Sequence, residues 1–162
     1  MNLKPNKIIG IDPDVEKSGV AYLYTPTKEI EVQCLRFPAL LEFLSNYEAS
    51  KDVVVVMEAG WKNKISNYHG YYGVKVGENI AKKVGRNHQL GCCIVEMCEY
   101  WGIPVVEKAP LRKCWRGKDR KITQEEIEQF IPNFPKRSNP EIRDAALLAW
   151  DYAGFPIRIK PK

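Results

Sequence analysis

The chain has 162 residues, with 25 Lys and Arg against 20 Asp and Glu, a net charge of +5 and a pI near 8.9. That length predicts one domain, spanning 1–162, large enough to bury a sizeable core. A hydrophobic content of 44% with a mean hydropathy of −0.37 excludes a disordered chain. The apolar runs, such as Val53 to Met57, fall far short of the roughly 20 residues a membrane-spanning helix needs, so no membrane role is expected. The first residues show no apolar signal region. The cysteines are odd in number, at 34, 92, 93, 98 and 114, and none forms a Cys-x-x-Cys pair. Neither a disulfide framework nor a zinc site is expected, and a reducing cytoplasm is the natural setting.

The modest net charge conceals a strong asymmetry. Residues 61–88 sum to +5 and residues 108–121 to +6, leaving the rest of the chain at −6. Two concentrated basic segments on an acidic body point to a polyanion as partner.

In chain order, Lys7 to Asp12 reads as a short apolar strand and Gly19 to Thr25 as a second one. A turn at Pro26-Thr27-Lys28 leads to a third strand from Glu29 to Phe37, completing an antiparallel meander. Pro38 opens a helix whose Leu40, Phe43, Leu44 and Tyr47 share one face. Val53 to Glu58, four valines and a methionine ending in a carboxylate, reads as a central strand buried on both faces. Residues 61–77 are aromatic, basic and glycine-bearing, and read as a loop or a mobile helix start. A long helical pattern runs from Asn79 to Trp101, with a break predicted near Gly91, and Ile103 to Lys108 is a further strand. Thr123 to Ile131 begins with a capping box that places Glu126 at its third position. The last helix starts at Asn139-Pro140, an N-cap followed by proline, and stops at Gly154. The predicted class is a mixed α/β layered fold, with a meander leading into β/α units and helices flanking the sheet.

Carboxylates punctuate this pattern at telling places. Asp12 ends the first strand, Glu58 ends the buried valine strand, and Glu141 and Asp144 lie on one face of the last helix. A carboxylate at the end of a very apolar strand is costly unless water, a cation or a partner compensates it. If the two strands pair, four carboxylates converge. Such a set offers the oxygen ligands that Mg²⁺ prefers, and two ions about 4 Å apart activate water against a phosphodiester.

Ile9-Gly10-Ile11-Asp12-Pro13, Val56-Met57-Glu58 and Asp144-Ala145-Ala146-Leu147-Leu148-Ala149, in that order and over nearly the whole chain, resemble the RuvC Holliday-junction resolvases of the RNase H-like superfamily. Glu141 stands where that family usually carries Asp or His, and Asp14 replaces the glycine usual after Asp-Pro. The resemblance implies that Asp12, Glu58, Glu141 and Asp144 hold two metal ions, Mg²⁺ with Mn²⁺ able to substitute. It implies that Lys113 and Lys121 lie near the scissile phosphate and that Trp61 contacts bases at the branch point. Stacking on an exposed Trp is worth roughly 1–3 kcal/mol per base. The basic, glycine-rich surroundings of Trp61 predict an exposed position whose loss leaves folding largely intact. Lys62, Lys64, Tyr68, His69, Lys75, Arg86, Arg112, Arg116, Lys118 and Arg120 extend the expected nucleic-acid surface, with Trp115 as a packing anchor for the second basic segment.

The implied activity is a metal-dependent endodeoxyribonuclease that resolves four-way DNA junctions by paired nicks, leaving 5′-phosphate and 3′-hydroxyl ends. The alternatives are a nuclease of the same fold for flaps, forks or RNA–DNA hybrids, and a non-catalytic junction-binding protein. Two symmetric nicks call for a homodimer, and by analogy with the family the segment from Leu90 to Trp101 is either its interface or core. The sequence does not specify a branch-migration helicase partner.

Overall fold

The computed structural model describes residues 4–63 and 74–157. Five strands, β1 (Lys7–Asp12), β2 (Ser18–Tyr24), β3 (Glu29–Leu35), β4 (Val53–Glu58) and β5 (Val105–Lys108), form one sheet in the order β3-β2-β1-β4-β5. The first three make the expected antiparallel meander, whereas β4 runs parallel to both β1 and β5. Helices α1 (Phe37–Ser45) and α2 (Val74–Tyr100) cover one face, and α3 (Gln124–Glu128) and α4 (Pro140–Tyr152) the other. This is the mixed α/β architecture that the pattern predicts. Among the described residues no helix is long and apolar enough to cross a membrane, and the five cysteines are free.

The period-2 alternation of a strand divides β4 between the two cores. Val54 and Val56 face α4, with Ile8 of β1 beside them and Ile122, Ile127 and Ile131 above. Val53, Val55 and Met57 face the other way, onto Leu40 and Leu44 of α1 and Ile94, Val95 and Cys98 of α2. A strand buried on both faces needs no polar alternation, and its run of valines reflects this.

Two glycines set how closely α4 approaches. A Cβ on Gly10 of β1 would overlap the Ala145 carbonyl oxygen, and one on Gly19 of β2 would overlap that of Glu141. These two strands therefore meet the helix backbone directly, and small residues on the helix (Ala145, Ala146, Ala149) complete the contact. Asn139 caps α4 as expected, its side-chain oxygen accepting the Ile142 N–H at 2.8 Å, and Pro140 follows it.

Element boundaries shift where proline or packing intervenes. The third strand stops at Leu35 rather than Phe37, because Pro38 sits in the first turn of α1 and draws the helix start back to Phe37. β5 begins at Val105, since Ile103 is buried in the α2 side of the core and Pro104 has no N–H for the ladder. α3 ends at Glu128 instead of Ile131, the chain passing through a turn at residues 129–130 before Pro132. α2 is longer than expected and runs unbroken through Gly91.

The glycines supply a paired stability test. Gly10→Ala should cost about 2–3 kcal/mol, because the added methyl meets backbone rather than a movable side chain. That is a fall of roughly 5–10 °C in thermal midpoint for a domain of this size. Gly85→Ala, with nothing within 4 Å of the added Cβ on the exposed side of α2, should instead stabilise by about 1 kcal/mol. Calorimetric melting of the two variants checks both signs.

Candidate active site

The parallel pairing of β1 with β4 brings the two strand-end carboxylates together. The last registered pair is Ile11 with Met57, so Asp12 and Glu58 follow side by side at the same sheet edge. Asp12 shares strand parity with Ile8, and Glu58 with Val54 and Val56, so both point to the α4 face. There the N-terminal half of α4, held close by Gly10 and Gly19, presents Asp144. Asp12, Glu58 and Asp144 therefore converge, whereas Glu141, one turn earlier, lines a separate cleft with Asp14, Lys17 and Lys83 and acts on Asp12 only as a weaker charge.

Their proximity is visible in their proton affinities. Burial, then the charges of Glu58 and Asp144, push the Asp12 carboxyl well above the ordinary range for an aspartate, and Glu141 adds a smaller push. Glu58 is raised to about 7, again by burial first and by Asp144 second. Such groups titrate as a set rather than singly. Lys121 opposes both shifts, and Lys113 opposes that of Glu58.

Lys121 is also bound into the cluster. Its ammonium pairs with Asp144 Oδ2 at 2.8 Å. Burial works against the charge on Lys121, but the Asp144 carboxylate, followed by Asp12 and Glu141, overrides it and leaves the ammonium's pKa above the ordinary value. Among the described residues no group of three His, Cys, Asp or Glu side chains is drawn together tightly enough to grip an ion. The donor chemistry nonetheless fits a hard divalent cation: carboxylate oxygens at the rim of a cleft, two of them pushed toward protonation by burial and then by one another's charge.

Beside the carboxylates lie residues 109–121, most of the second basic segment, whose first residue Lys108 closes β5. Arg112, Lys113, Arg116, Lys118 and Arg120 are all exposed, while Lys121 is half-buried. The segment is built, not draped. Gly117 N–H donates to the Lys121 carbonyl at 2.9 Å and Trp115 N–H to that of Arg120 at 3.1 Å, with Asp119 and Arg120 in left-handed conformation. Trp115 stacks on Phe130 with 6.1 Å between centroids, the anchoring role expected of it. Underneath, Glu126 is buried with 4% exposure. It closes the predicted capping box with Thr123, and its carboxylate also accepts the Arg116 N–H at 3.1 and 3.3 Å. The capping box is legible in the sequence, but its second duty as tether of the basic loop is not.

The first basic segment differs more from expectation. Trp61, in the short 3-10 turn Gly60–Lys62, is partly buried against the α2-side core instead of standing free. Its indole N–H donates to Glu107 Oε1 at 2.9 Å, its edge meets His88 at 6.1 Å, and its six-membered ring lies where a Cβ on Gly91 would come within 2.5 Å. Gly91 does not break α2. It leaves room for the indole. Lys62 lies beside Glu107, 3.7 Å from Oε2. Lys75 and Arg86 are exposed along α2. Lys64, Tyr68 and His69 lie outside the described residues.

A further contact escaped the sequence reading altogether. Asn87 of α2 accepts the Val15 N–H at 2.9 Å and donates to Asp14 Oδ2 at 3.3 Å. It ties α2 to the turn just after Asp12, and the non-glycine residue at 14 contributes to that tie. Only the sequence spacing of 72 and 73 residues hid it.

The expected Leu90–Trp101 face is largely committed within the chain, since Ile94, Val95 and Cys98 are buried on the sheet. Tyr100 remains 82% exposed.

Two predictions follow from this geometry. Because Asp12 and Glu58 bind protons more tightly folded than unfolded, the stability of the metal-free protein should fall as pH rises from about 4.5 through about 7. Glu58→Gln should flatten that fall, and added Mg²⁺ should offset it most above pH 7; melting curves across pH test both. For the indole, Trp61→Phe should cost about 1 kcal/mol for the lost Glu107 hydrogen bond. Trp61→Ala should cost about 3 kcal/mol, far more than an exposed loop residue would; chemical denaturation distinguishes the two.

No protein-family profile matches the sequence, and no curated protein does. Among solved structures, "T. thermophilus RuvC in complex with Holliday junction substrate" is similar at a TM-score of 0.56 and 17% identity, over 91% of this chain and 92% of that one. The five-stranded sheet and its flanking helices thus have a RuvC-like, RNase H-like fold.

Proposed function

We propose that this protein is a metal-dependent endonuclease that resolves four-way DNA junctions by paired nicks, leaving 5′-phosphate and 3′-hydroxyl ends. The observation that carries the reading is the convergence of Asp12 and Glu58, at one sheet edge, with Asp144 of α4 beside an ordered cationic loop. Carboxylates alone repel a phosphodiester, and the exposed cations of the loop beside them offer a backbone the compensating positive charge. The RuvC-like fold, shared with a protein whose structure contains a Holliday junction substrate, supports the choice of branched DNA.

In this reading Asp12, Glu58 and Asp144 would hold Mg²⁺, two ions per site with Mn²⁺ able to substitute, and Glu141 would complete the set. Bound there, such ions would supply the acidity that activates an attacking water and the positive charge that stabilises the leaving oxygen. The protein's own part is positional and electrostatic. The strand ends fix Asp12 and Glu58, α4 brings Asp144 to them, and Lys113 and Lys121 neutralise charge developing on the phosphate. Arg112, Arg116, Lys118 and Arg120 hold the flanking backbone, so binding weakens steeply with salt. One carboxylate cluster per chain gives one nick, and a two-fold homodimer supplies the second.

The test is incubation with a labelled four-way junction and Mg²⁺, beside a flap and an RNA–DNA hybrid. Symmetric nicks in the junction, lost by about 10²–10³-fold or more in Asp144→Asn with junction binding retained, are expected, as for removal of other charge-stabilising groups. Wild-type cleavage rates in Asp144→Asn would overturn the assignment. Faster cleavage of the flap or hybrid would move the substrate away from junctions.

A further inference from the structure

The ion pair between Lys121 and Asp144 has a consequence for how the site is loaded. Lys121 belongs to the cationic loop through its backbone, since its carbonyl accepts the Gly117 N–H and its N–H donates to the Lys118 carbonyl at 3.1 Å. Its side chain leaves that loop and enters the carboxylate cluster, pairing with Asp144 at 2.8 Å and drawn also by Asp12 and Glu141. Lys113, on the same loop and lining the same cleft, remains exposed. Two lysines of one loop thus occupy different positions: Lys113 stays exposed and acts on Glu58 only through its charge, whereas Lys121 is paired directly with Asp144.

A divalent ion using Asp144 must share that carboxylate with the ammonium, and two cations a few ångströms apart repel. The Lys121 side chain keeps 30% exposure, so it has an outward path into the cleft lined by Arg120 and Lys113. A DNA phosphate reaching the loop would offer Lys121 an alternative anionic partner in that cleft.

We infer that Lys121 is a resident counter-ion that holds Asp144 until DNA draws it away, so that divalent-ion binding and DNA binding reinforce each other through this one side chain. The inference rests on the proposed metal-dependent reading and concerns how that site is regulated. By linkage the effect is reciprocal: whatever factor DNA gives to metal affinity, metal gives to DNA affinity. The free protein would keep a neutralised, weakly metal-binding cluster and assemble the loaded site only on its substrate.

Calorimetric titration with Mg²⁺ tests this on the wild type, Lys121→Gln, Lys121→Arg and Lys113→Gln. Each would be measured alone and with a four-way junction made hydrolysis-resistant by phosphorothioate linkages. Without DNA, Lys121→Gln should bind Mg²⁺ on the order of tenfold more tightly, a coupling of ordinary size. Lys121→Arg, which keeps a cation against Asp144, should stay near wild type, and Lys113→Gln should change affinity less than Lys121→Gln. Junction DNA should tighten Mg²⁺ binding in the wild type and lose most of that effect in Lys121→Gln. Equal gains in Lys121→Gln and Lys113→Gln would reduce the effect to general charge and overturn the proposal, as would unchanged affinity in Lys121→Gln. Saturable Mg²⁺ binding in those cases would leave the metal-dependent reading standing. Failure of every protein to bind Mg²⁺, with or without DNA, would overturn both.

Discussion

Everything at the carboxylate edge depends on one steric allowance, the bare backbone contact of α4 with β1 and β2 at Gly10 and Gly19. Side chains at those positions would separate helix and sheet and carry Glu141 and Asp144 away from Asp12. The allowance has an energetic side as well. Glycine within a strand forfeits packing and backbone entropy, and the sheet recovers that loss through the alanines and leucines of α4 buried over β1, β2 and β4. The position of the acidic groups and the strength of the core are therefore products of the same contact.

That contact concentrates negative charge in a partly buried place, and the remainder of the molecule answers it. Lys121 supplies an internal positive charge, the raised proton affinities of Asp12 and Glu58 supply a second form of relief, and the exposed cations of residues 109–121 shift the potential of the cleft mouth. The acidic cluster and the basic loop make sense only together. Either alone would be an electrostatic liability in a domain whose net charge is small.

Much of this was legible in the chain before any fold was known. The valine strand, the proline and asparagine at the start of α4, and the Thr123–Glu126 box depend on neighbours within a few residues, and they appear as read. Even the shared side of Asp12 and Glu58 follows from counting parity along two apolar strands, once the strands are paired. What could not be read depends on contacts between distant segments. Gly91 looks like a helix breaker until the Trp61 indole is placed against it, and Trp61 looks like a loop aromatic until Glu107 and α2 claim it. Lys121 is indistinguishable in sequence from its basic neighbours, and only the fold reveals that it turns inward to Asp144.

The double use of Glu126 has a structural implication. One carboxylate, that of Glu126, satisfies the Thr123 N–H at the start of α3 and the N–H of Arg116, ten residues before Glu126. Helix start and cationic loop are consequently coupled through one side chain, and loss of the Glu126 carboxylate would leave both amides without their acceptor. The cationic loop is thereby fastened from below by a side chain that is itself buried, so its exposed charges stand on an ordered support.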